Sequence, residues 1–279
     1  PAIHRAPPKP PPRPLVVGLS LGEKTTCLEL KDGRFRCWGA LSVAGAVRGA
    51  LQVFDREVCT RDGAEERCYR PNDRIRVRRS PFVEIETGAS LCARDTEGGV
   101  WCWMSREPDE NTQLTPIPLE GAATALAVTG LDTCALTESG TVACFDPVMH
   151  VLGFHHSAQI AGTGVDHLDG SYLQQCFGGE RGIRCRGSGG WRPIRGVGAP
   201  RLLTVGKLHA CAVDDERVYC WGDNRHDQRN VPLLDASLVI DLDAGDDHTC
   251  ALLFGGSVRC WGSDTEGQVS APCEAGLCD

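Results

Sequence analysis

The spacing of the cysteines restricts the fold of this chain more than any other feature. Seven cysteine pairs lie nine or ten positions apart, and the pairs recur about every 30–40 residues, a period typical of propeller blades and solenoid repeats. Most pairs bracket two apolar stretches separated by turn residues, which predicts a β-hairpin in each repeat. The pairs are Cys27–Cys37, Cys59–Cys68, Cys92–Cys102, Cys134–Cys144, Cys176–Cys185, Cys211–Cys220 and Cys250–Cys260.

The residues between the cysteines fit this interpretation. If the two cysteines of a ten-residue pair face each other, three residues form the loop, and the third adopts a left-handed conformation that suits glycine. Glycine stands there in all four ten-residue pairs, as Gly33, Gly98, Gly140 and Gly256. The shorter pairs predict two-residue loops at Gly63-Ala64 and Glu180-Arg181, and a four-residue loop around Asp215-Glu216.

The sixteen cysteines predict disulfides and an oxidising compartment. Opposed residues of an antiparallel pair have Cα atoms about 4.5–5.5 Å apart, within the range that a disulfide spans. The alternative is zinc, which favours short cysteine knuckles brought together in pairs, and only the eighth pair, Cys273–Cys278, approaches that spacing. We therefore expect eight disulfides within repeats, and an exported chain that is secreted, periplasmic or attached to the cell surface. Its first residue, Pro1, suggests that an export signal has been removed.

The chain divides into two parts of different composition. Residues 1–14 are rich in proline and predict a disordered, extended tether, whereas residues 15–279 predict one domain of repeated units. The second unit, near residues 50–79, matches the repeat most weakly and is either a degenerate blade or an insertion. Residues 268–272 look like the start of a further unit, so we expect them to complete the first blade and close a ring.

The sequence resembles the regulator of chromosome condensation repeat family. The resemblance rests on His248-Thr249-Cys250-Ala251-Leu252, Val258-Arg259-Cys260-Trp261-Gly262, Gly267-Gln268, His209-Ala210-Cys211-Ala212-Val213 and Val218-Tyr219-Cys220-Trp221-Gly222. It implies an all-β, seven-bladed β-propeller with four-stranded blades that serves as an interaction scaffold. The cysteine pairs and the net charge of −8 separate the chain from nuclear members. The chain is more similar to secreted bacterial members of the type of β-lactamase inhibitory protein II.

These features predict a monomeric binding scaffold that recognises a partner protein through loops on one face of the ring. The alternatives are an inhibitor of a secreted or periplasmic enzyme, and an enzyme acting on glycans with carboxylates at the ring's centre. We expect no enzymatic activity, because the sequence contains no nucleophile elbow, phosphate loop or dinucleotide fingerprint. No cofactor is implied. The acidic charge disfavours nucleic acid as a partner, and no hydrophobic run is long enough to span a membrane.

The candidate partner contacts are basic and aromatic. Arg74, Arg76 and Arg78 alternate with apolar residues and would share one face of a strand, followed by Arg79. They predict a surface for an acidic partner, unless they pair with acidic residues nearby. Two tryptophans, Trp101 and Trp191, fall outside the repeat pattern, so we expect them to be exposed contacts. The tryptophans that follow second cysteines are expected to pack between blades: Trp38, Trp103, Trp221 and Trp261.

Two further groups of residues suggest chemistry only weakly. His209 and His248 occupy the same place in their repeats, which predicts a structural hydrogen bond, because a catalytic histidine has no reason to repeat. An aspartate run around Gly245 resembles a calcium loop but lacks its glycine and closing glutamate, so Asp241 and Asp243 are expected to be solvated. His155, His156 and His167 are too poorly placed to predict a metal site. We therefore expect no metal.

Overall fold

The computed structural model describes most of the chain from Leu15 onward. The described residues are 15–279 without 48, 55–56, 64, 72–74, 80, 88–90, 104–112, 131, 153–157, 188–189, 275–276 and 278–279. The predicted tether, residues 1–14, therefore lies outside the described residues, and so do His155 and His156. Cys278 lies outside them too, so the pairing of Cys273 with Cys278 stays a prediction.

The described residues form seven small antiparallel sheets, in each of which strands that are consecutive in the chain lie side by side. The first sheet contains β1 (Val16–Gly22), β2 (Thr25–Leu30), β3 (Arg34–Gly39) and β4 (Ala44–Ala46). The second contains β5 (Ala50–Val53), β6 (Val58–Asp62), β7 (Glu65–Tyr69) and β8 (Arg76–Arg79). The third contains β9 (Phe82–Thr87), β10 (Leu91–Asp95), β11 (Val100–Trp103) and β12 (Thr115–Ile117).

The remaining four sheets follow the same order. The fourth contains β13 (Ala123–Val128), β14 (Thr133–Thr137), β15 (Thr141–Phe145) and β16 (Gln159–Thr163), with helix α1 (Pro147–Val151) between the last two. The fifth contains β17 (Val165–Ser171), β18 (Gln174–Gly179), β19 (Gly182–Gly187) and β20 (Gly190–Pro193). The sixth contains β21 (Leu202–Val205), β22 (His209–Val213) and β23 (Val218–Gly222). The seventh contains β24 (Val239–Ala244), β25 (His248–Leu253) and β26 (Val258–Gly262), preceded by a 3₁₀ turn (Ala236–Leu238) and followed by helix α2 (Ser270–Glu274).

The seven sheets are the blades of a β-propeller, which confirms the predicted fold. The first strand of each blade lies at the centre of the ring, and β24 of the seventh blade packs beside β1 of the first, which closes the ring. Five blades have four strands, as expected, whereas the sixth and seventh have three among the described residues. The second unit, the weakest match in the sequence, is a complete four-stranded blade. In the part of the chain that is described, no helix has the length and apolar character needed to cross a membrane.

The hairpin register confirms the predicted cysteine pairing. In all seven hairpins the two cysteines lie directly opposite each other and form a disulfide, with Cα atoms 4.0–4.2 Å apart. The four loop glycines all have positive φ, from 72° at Gly140 to 84° at Gly256. Seven disulfides of this kind are typical of proteins that fold in an oxidising compartment.

The shorter hairpins also have the predicted loops. The pairing of Asp62 with Glu65, and of Gly179 with Gly182, leaves two-residue loops. Val213 pairs with Val218, which leaves the expected four-residue loop. Asp214 stabilises that loop, because its carboxylate accepts hydrogen bonds from two backbone N–H groups within it.

The expected route of ring closure is wrong. Residues 268–272 add no strand to the first blade, which is complete from its own residues, and α2 begins at Ser270 instead. Gln268 is 1% exposed and lies against Gly39 of the first blade. Gln228 occupies the same place after the sixth blade, where its backbone oxygen accepts a hydrogen bond from the Trp261 indole of the seventh. The chain therefore closes the ring with the same buried-glutamine connector that joins neighbouring blades.

Among the described residues, apolar clusters span six of the seven interfaces between neighbouring blades. The cysteines of one blade face the next blade, and Trp38, Trp221 and Trp261 pack on the blade before their own, as predicted. Trp103 is also buried, but its apolar cluster contains third-blade residues alone among those described. The second blade instead buries an ion pair on its cysteine-bearing face, between Arg61 and Glu66. The interface between the second and third blades is therefore the polar one.

Removing one hairpin disulfide should destabilise the ring without changing its fold. For the double variant Cys134→Ala/Cys144→Ala we expect the free energy of unfolding in urea to fall by about 2–3 kcal/mol, because a ten-residue loop is no longer closed in the unfolded chain. Circular dichroism should show an unchanged strand content. An unchanged urea midpoint in this variant would contradict the structural role of the bridge.

Candidate functional site

The centre of the ring holds a cavity of ≈ 310 Å³. It lies toward the C-terminal ends of the first strands of the blades. Six blades each contribute to its wall through Ser20, Gln52, Ile85, Asp169, Val205 and Asp243. Three residues of the wall are carboxylates, the residue type expected for an enzyme acting on glycans: Asp169, Asp243 and the exposed Glu23.

Asp243 joins the seventh blade to the first. It lies on β24 directly opposite Cys250. Its Oδ2 atom accepts a hydrogen bond of 2.7 Å from the backbone N–H of Leu21 on β1. Its Oδ1 atom accepts from the N–H of Ala244 at 2.8 Å and from the Thr204 hydroxyl at 3.4 Å. Both carboxylate oxygens are therefore engaged by the chain itself.

Asp169 repeats this geometry between the fifth and sixth blades. It lies on β17 directly opposite Cys176. Its Oδ2 atom accepts from the N–H of Val205 on β21, and its Oδ1 atom accepts from the N–H of Gly170, both at 2.7 Å. A backbone amide left unpaired at such a buried place costs about 1–3 kcal/mol, so each carboxylate stabilises the contact between two blades.

A second level of the same contacts lies further from the cavity. Asp241 accepts from the N–H of Leu19 at 3.3 Å, again from the seventh blade to the first. Glu84 of the third blade accepts from the N–H of Leu126 of the fourth at 3.1 Å. Its other oxygen accepts from the guanidinium of Arg94 at 2.8 Å. First-strand carboxylates thus bond to the first strand of the following blade at three interfaces.

Burial changes the acidity of these groups. It raises the pKa of Asp243 to about 7, with a further contribution from the negative charge of Asp169. Burial likewise raises the pKa of Asp169 to about 6 and that of Asp241 above its ordinary value. Asp243 is therefore close to half protonated at neutral pH. A glycosidase also uses a carboxyl of raised pKa, but it needs oxygens free to reach substrate, whereas both oxygens of Asp169 and Asp243 accept from backbone N–H groups.

The two repeated histidines also join blades, which confirms their structural role. The Nε2 atom of His209 hydrogen bonds to the Thr249 hydroxyl of the seventh blade at 2.8 Å, and that of His248 to the Thr26 hydroxyl of the first at 3.0 Å. Both histidines are fully buried. Burial lowers the pKa of His248 to about 4 and that of His209 below its ordinary value, so both rings are neutral at physiological pH.

These histidine rings explain why the first strand ends in glycine. A Cβ atom at Gly245 would lie 2.2 Å from the Cε1 atom of His248 and 2.3 Å from the carbonyl oxygen of Gly22. At Gly206 it would lie 2.3 Å from the Cε1 atom of His209. The ring and the neighbouring blade occupy the space that any larger residue would need.

The aspartates around Gly245 do not form a calcium loop, and Asp241 and Asp243 are not solvated as expected. Their carboxylates bind backbone amides of the first blade. The Asp246 carboxylate accepts from the Lys207 ammonium at 2.7 Å, and Asp247 accepts from the side chain of Gln228 at 3.5 Å. The four side chains therefore have four different sets of partners.

One group of described residues has the proximity required of metal ligands, and its chemistry does not suit a metal. Glu57, Cys59 and Cys68 bring their ligand atoms within 4.8 Å of one another. The two sulfurs are already joined in a disulfide, and the Glu57 carboxylate accepts from the Arg70 guanidinium at 2.8 Å.

The predicted basic contact surface lies on the outermost strand of the second blade. Arg74 is outside the described residues, and the backbones of Arg76, Arg78 and Arg79 form β8. The register places Arg76 opposite Cys68, Arg78 opposite Glu66 and Arg79 opposite Glu65. The arginines therefore lie at the perimeter of the ring, away from the central cavity.

The two tryptophans predicted as contacts pack within their own blades. Trp101 is half-buried, and its indole N–H donates to the Asp95 carboxylate at 2.8 Å, which lowers the pKa of Asp95. Trp191 is also half-buried. Its ring centre lies 4.6 Å from that of Phe177, and the Arg186 guanidinium lies 5.2 Å from it.

The sequence contained one overlooked signal for the central carboxylates. Asp169 and Asp243 both stand seven residues before the first cysteine of their hairpins, which the register translates into the position directly opposite that cysteine. Glu84 gave no such signal, because Cys92 of the third blade lies opposite Glu86 rather than the residue seven positions earlier.

Residues 239–268 comprise the seventh blade and the connector that closes the ring. They match the family model described as Regulator of chromosome condensation (RCC1) repeat. The match includes the segments from His248 to Leu252 and from Val258 to Gly262 that carried the resemblance, which confirms it. The narrower prediction, a secreted bacterial member of the family, stays a prediction.

The ring is similar in fold to several solved structures. The CRINKLY WD40 ectodomain of the receptor kinase ACR4 from Arabidopsis thaliana has a TM-score of 0.61 and 18% identity, over 89% of this chain and 99% of that one. The ectodomain of the receptor kinase CR4 from Physcomitrella patens has a TM-score of 0.60 and 20% identity, over 88% and 72%. Prp20p from Saccharomyces cerevisiae has a TM-score of 0.51 and 11% identity, over 90% and 72%. At these identities the likeness shows the fold.

Adding a methyl group at Gly245 should destabilise the ring strongly. We expect Gly245→Ala to lower the free energy of unfolding by about 2–3 kcal/mol, because the Cβ atom meets the ring of His248 and the Gly22 carbonyl. Adding His248→Ala should not restore stability, since the Gly22 carbonyl remains. The control is Gly198→Ala, where a Cβ atom meets no other atom within 4 Å. Equal urea midpoints for the two alanine variants would contradict this packing.

Stability should depend on pH through Asp243. Its pKa of about 7 in the folded protein exceeds that of the unfolded chain, so the stabilisation is fully present below about pH 4 and is lost as pH rises through 7. The two buried histidines act in the opposite direction, because their pKa is lower in the folded protein than in the unfolded chain, and between pH 6.5 and 8 they offset much of this change. We therefore expect the difference in the free energy of unfolding between the wild type and Asp243→Asn, measured in urea, to fall by about 0.8 kcal/mol between pH 6.5 and 8.

The variant Asp243→Asn tests the assignment of this pH dependence. It should be less stable at every pH, because an amide offers one acceptor oxygen where the carboxylate offers two, and its stability should rise between pH 6.5 and 8 as the histidines of the unfolded chain lose their protons. Asp235→Asn, at the exposed start of the 3₁₀ turn, should keep the pH dependence of the wild type. If the free energy of unfolding changes with pH in Asp243→Asn as it does in the wild type, another titrating group causes the pH dependence.

Proposed function

We propose that this chain is an extracytoplasmic scaffold that binds a partner protein on the outer surface of its ring and carries out no catalysis. The observation that carries the proposal is the use of the carboxylates at the ring's centre. Asp169 and Asp243 face the central cavity, yet their oxygens accept backbone amides of the neighbouring blades. These two carboxylates serve to join neighbouring blades, which leaves the surface of the ring to perform the function.

The disulfides support an extracytoplasmic location. Both cysteines are buried in the bridges of the first four blades, and in the other three the first cysteine is buried and the second half-buried. Such bridges persist in the periplasm, in secreted proteins and on cell surfaces. Among the similar structures, two are receptor kinase ectodomains, which agrees with that location.

Protein binding is the activity that the similar structures favour. Prp20p is described by its binding properties to Gsp1p and histones. At 11% identity none of its contacts transfers to this chain, but the same ring architecture presents loops and outer strands to a partner. We propose that residues 15–279 act as one monomeric domain, and that the proline-rich residues 1–14 serve as its tether.

The partner surface in this proposal is the arginine-rich perimeter of the second blade. Arg76, Arg78 and Arg79 lie on its outermost strand, and Arg74 precedes them in the sequence. Four arginines within six residues of an acidic chain favour an acidic partner, since guanidinium groups bind carboxylates through paired hydrogen bonds. The packing of Trp101 and Trp191 leaves them as supports of their own blades in this proposal.

Charge reversal on this surface should abolish partner capture. The wild-type protein, in its oxidised form, is used as bait in an extracytoplasmic extract of the source organism, and captured proteins are identified by cross-linking and mass spectrometry. We expect one acidic protein to be captured specifically. The triple variant Arg74→Glu/Arg76→Glu/Arg78→Glu should lose at least nine-tenths of the capture at physiological salt.

The matched control is Arg184→Glu/Arg192→Glu/Arg195→Glu, which makes the same change of charge at three exposed arginines of the fifth blade and its exit loop. It should capture the partner as well as the wild type does. Equal loss in both triple variants would place the effect in net charge rather than in the second blade. Capture of no specific protein by the wild type would remove the proposed function itself.

A further inference from the structure

The outermost strands of the four-stranded blades differ in how they are protected against pairing with another chain. An exposed edge strand offers unpaired N–H and C=O groups, and proteins guard such edges with proline, charge or a bulge. Proline guards β12 and β20, as Pro116 and Pro193. A register shift interrupts β16, and arginines occupy β8.

The edge strand of the first blade has none of these guards. Its sequence is Ala44-Gly45-Ala46, without charge, proline or a register shift. The backbone bonding to β3 extends beyond these three residues, because the Val43 carbonyl accepts from Cys37 N–H and Val47 N–H donates to the Gly33 carbonyl, both at 2.8 Å. A stretch of five residues therefore holds the geometry of an edge strand.

The alternation of hydrogen bonds directs the groups of Ala44 outward. Val43, Gly45 and Val47 bond to β3, so the N–H and C=O of Ala44 and the N–H of Ala46 point away from the sheet. The carbonyl of Ala46 accepts from the Tyr69 hydroxyl at 3.3 Å, which confirms its outward direction. Ala44 and Ala46 are both exposed, and their methyl groups leave the edge open to a further strand.

A groove runs beside this edge. It has a volume of ≈ 470 Å³ and lies between Ser42–Ala46 of the first blade and Arg67, Tyr69, Pro71 and Ile75 of the second; we call it the blade 1–2 groove. The Tyr69 ring forms its floor, because it lies in edge-to-face contact with Phe35 and so close to Gly45 that a Cβ atom there would be 2.6 Å away. Ile75 is 54% exposed and offers an apolar surface at the rim.

The charges around the groove select its occupant. Arg67 and Arg70 line it, and the arginine-rich β8 adjoins it on the second blade. Arg67 and Arg70 each pair with one carboxylate, at 2.7 Å to Glu65 and 2.8 Å to Glu57, which leaves other guanidinium donors for a ligand. An occupant that carries carboxylates next to apolar side chains matches both the arginines and the surface of Tyr69 and Ile75.

The chain's own first residues do not match the groove. Residues 1–14 contain seven prolines, which have no N–H to donate to the edge strand, and their charged residues are the basic Arg5, Lys9 and Arg13. A basic, proline-rich segment is disfavoured on both counts. This favours an occupant from another molecule.

We propose that the blade 1–2 groove binds an extended acidic segment of the partner protein, which pairs with Val43–Val47 as a fifth strand of the first blade. This inference rests on the proposed function and names the partner's binding element. Main-chain hydrogen bonds to Ala44 supply affinity, while contacts with Tyr69, Ile75 and the arginines select alternating apolar and acidic side chains.

Two variants of one residue test the pairing. Ala44→Pro removes the outward N–H without touching a bond to β3, whereas Ala44→Val keeps that N–H and adds a strand-forming side chain at an exposed position. The probe is a fluorescent heptapeptide, acetyl-Val-Asp-Val-Asp-Val-Asp-Val-amide, with the corresponding Val-Lys peptide as its control, and binding is measured by fluorescence anisotropy. Circular dichroism and the urea midpoint show whether each variant is folded.

We expect the Val-Asp peptide to bind the wild type and Ala44→Val with similar affinity, and the Val-Lys peptide to bind at least tenfold more weakly. Ala44→Pro should bind the Val-Asp peptide at least tenfold more weakly than the wild type. Equal binding to Ala44→Pro and Ala44→Val, or no binding to the wild type at millimolar peptide, would overturn the proposal. A dimer in sedimentation experiments that Ala44→Pro converts to a monomer would overturn it too, because the occupant would then be a second copy of this chain.

The outcome is separable from that of the proposed function. If the wild type and Ala44→Pro capture the same acidic protein equally well from the extract, the scaffold function stands and the groove is not its binding element. If neither captures any protein, the scaffold function fails whether or not the peptide binds.

Discussion

At four interfaces the ring is held by polar bonds that run from a first strand or hairpin to the blade that follows. Asp169 bonds to Val205, and Asp243 to Leu21, through backbone amides at the ring's centre. His209 and His248 bond to Thr249 and Thr26 in the same direction. Because these bonds reach forward to the next unit, the blades that make them are complete only when their successors are in place. The apolar clusters between blades supply most of the buried surface, while these bonds fix the angle at which the blades meet.

This directionality accounts for the way the ring closes. The seventh blade makes toward the first the contacts that the sixth makes toward the seventh, with His248 in place of His209 and Gln268 in place of Gln228. No strand exchange between the chain ends is needed. One interface differs: between the second and third blades the buried pair of Arg61 and Glu66 replaces a shared apolar cluster. A buried ion pair adds little net stability, but it penalises any neighbour that does not accommodate it.

Much of the fold follows from local rules that the sequence displays. The hairpins were predictable because a glycine with positive φ and two opposed cysteines fix loop length and register together, as at Gly33 and Gly256. Ring closure was not predictable from the sequence. Gln268 looks like the start of a strand, but its contact with a distant blade decides its place in the fold. The central carboxylates were missed for the same reason. Asp241 and Asp243 alternate as solvated strand residues do, and only the neighbouring blade shows that their face is buried.

The locality of the disulfides has a consequence for how the protein matures. Each of the seven bridges joins residues nine or ten positions apart, and none links two blades. A hairpin forms in microseconds, whereas thiol oxidation takes seconds or longer, so the correct two sulfurs meet before any oxidant acts. The bridge of each blade is therefore able to form before the next blade has folded. Fourteen cysteines would otherwise allow very many pairings. Here the turn of each hairpin determines which two cysteines meet, so the seven bridges form independently.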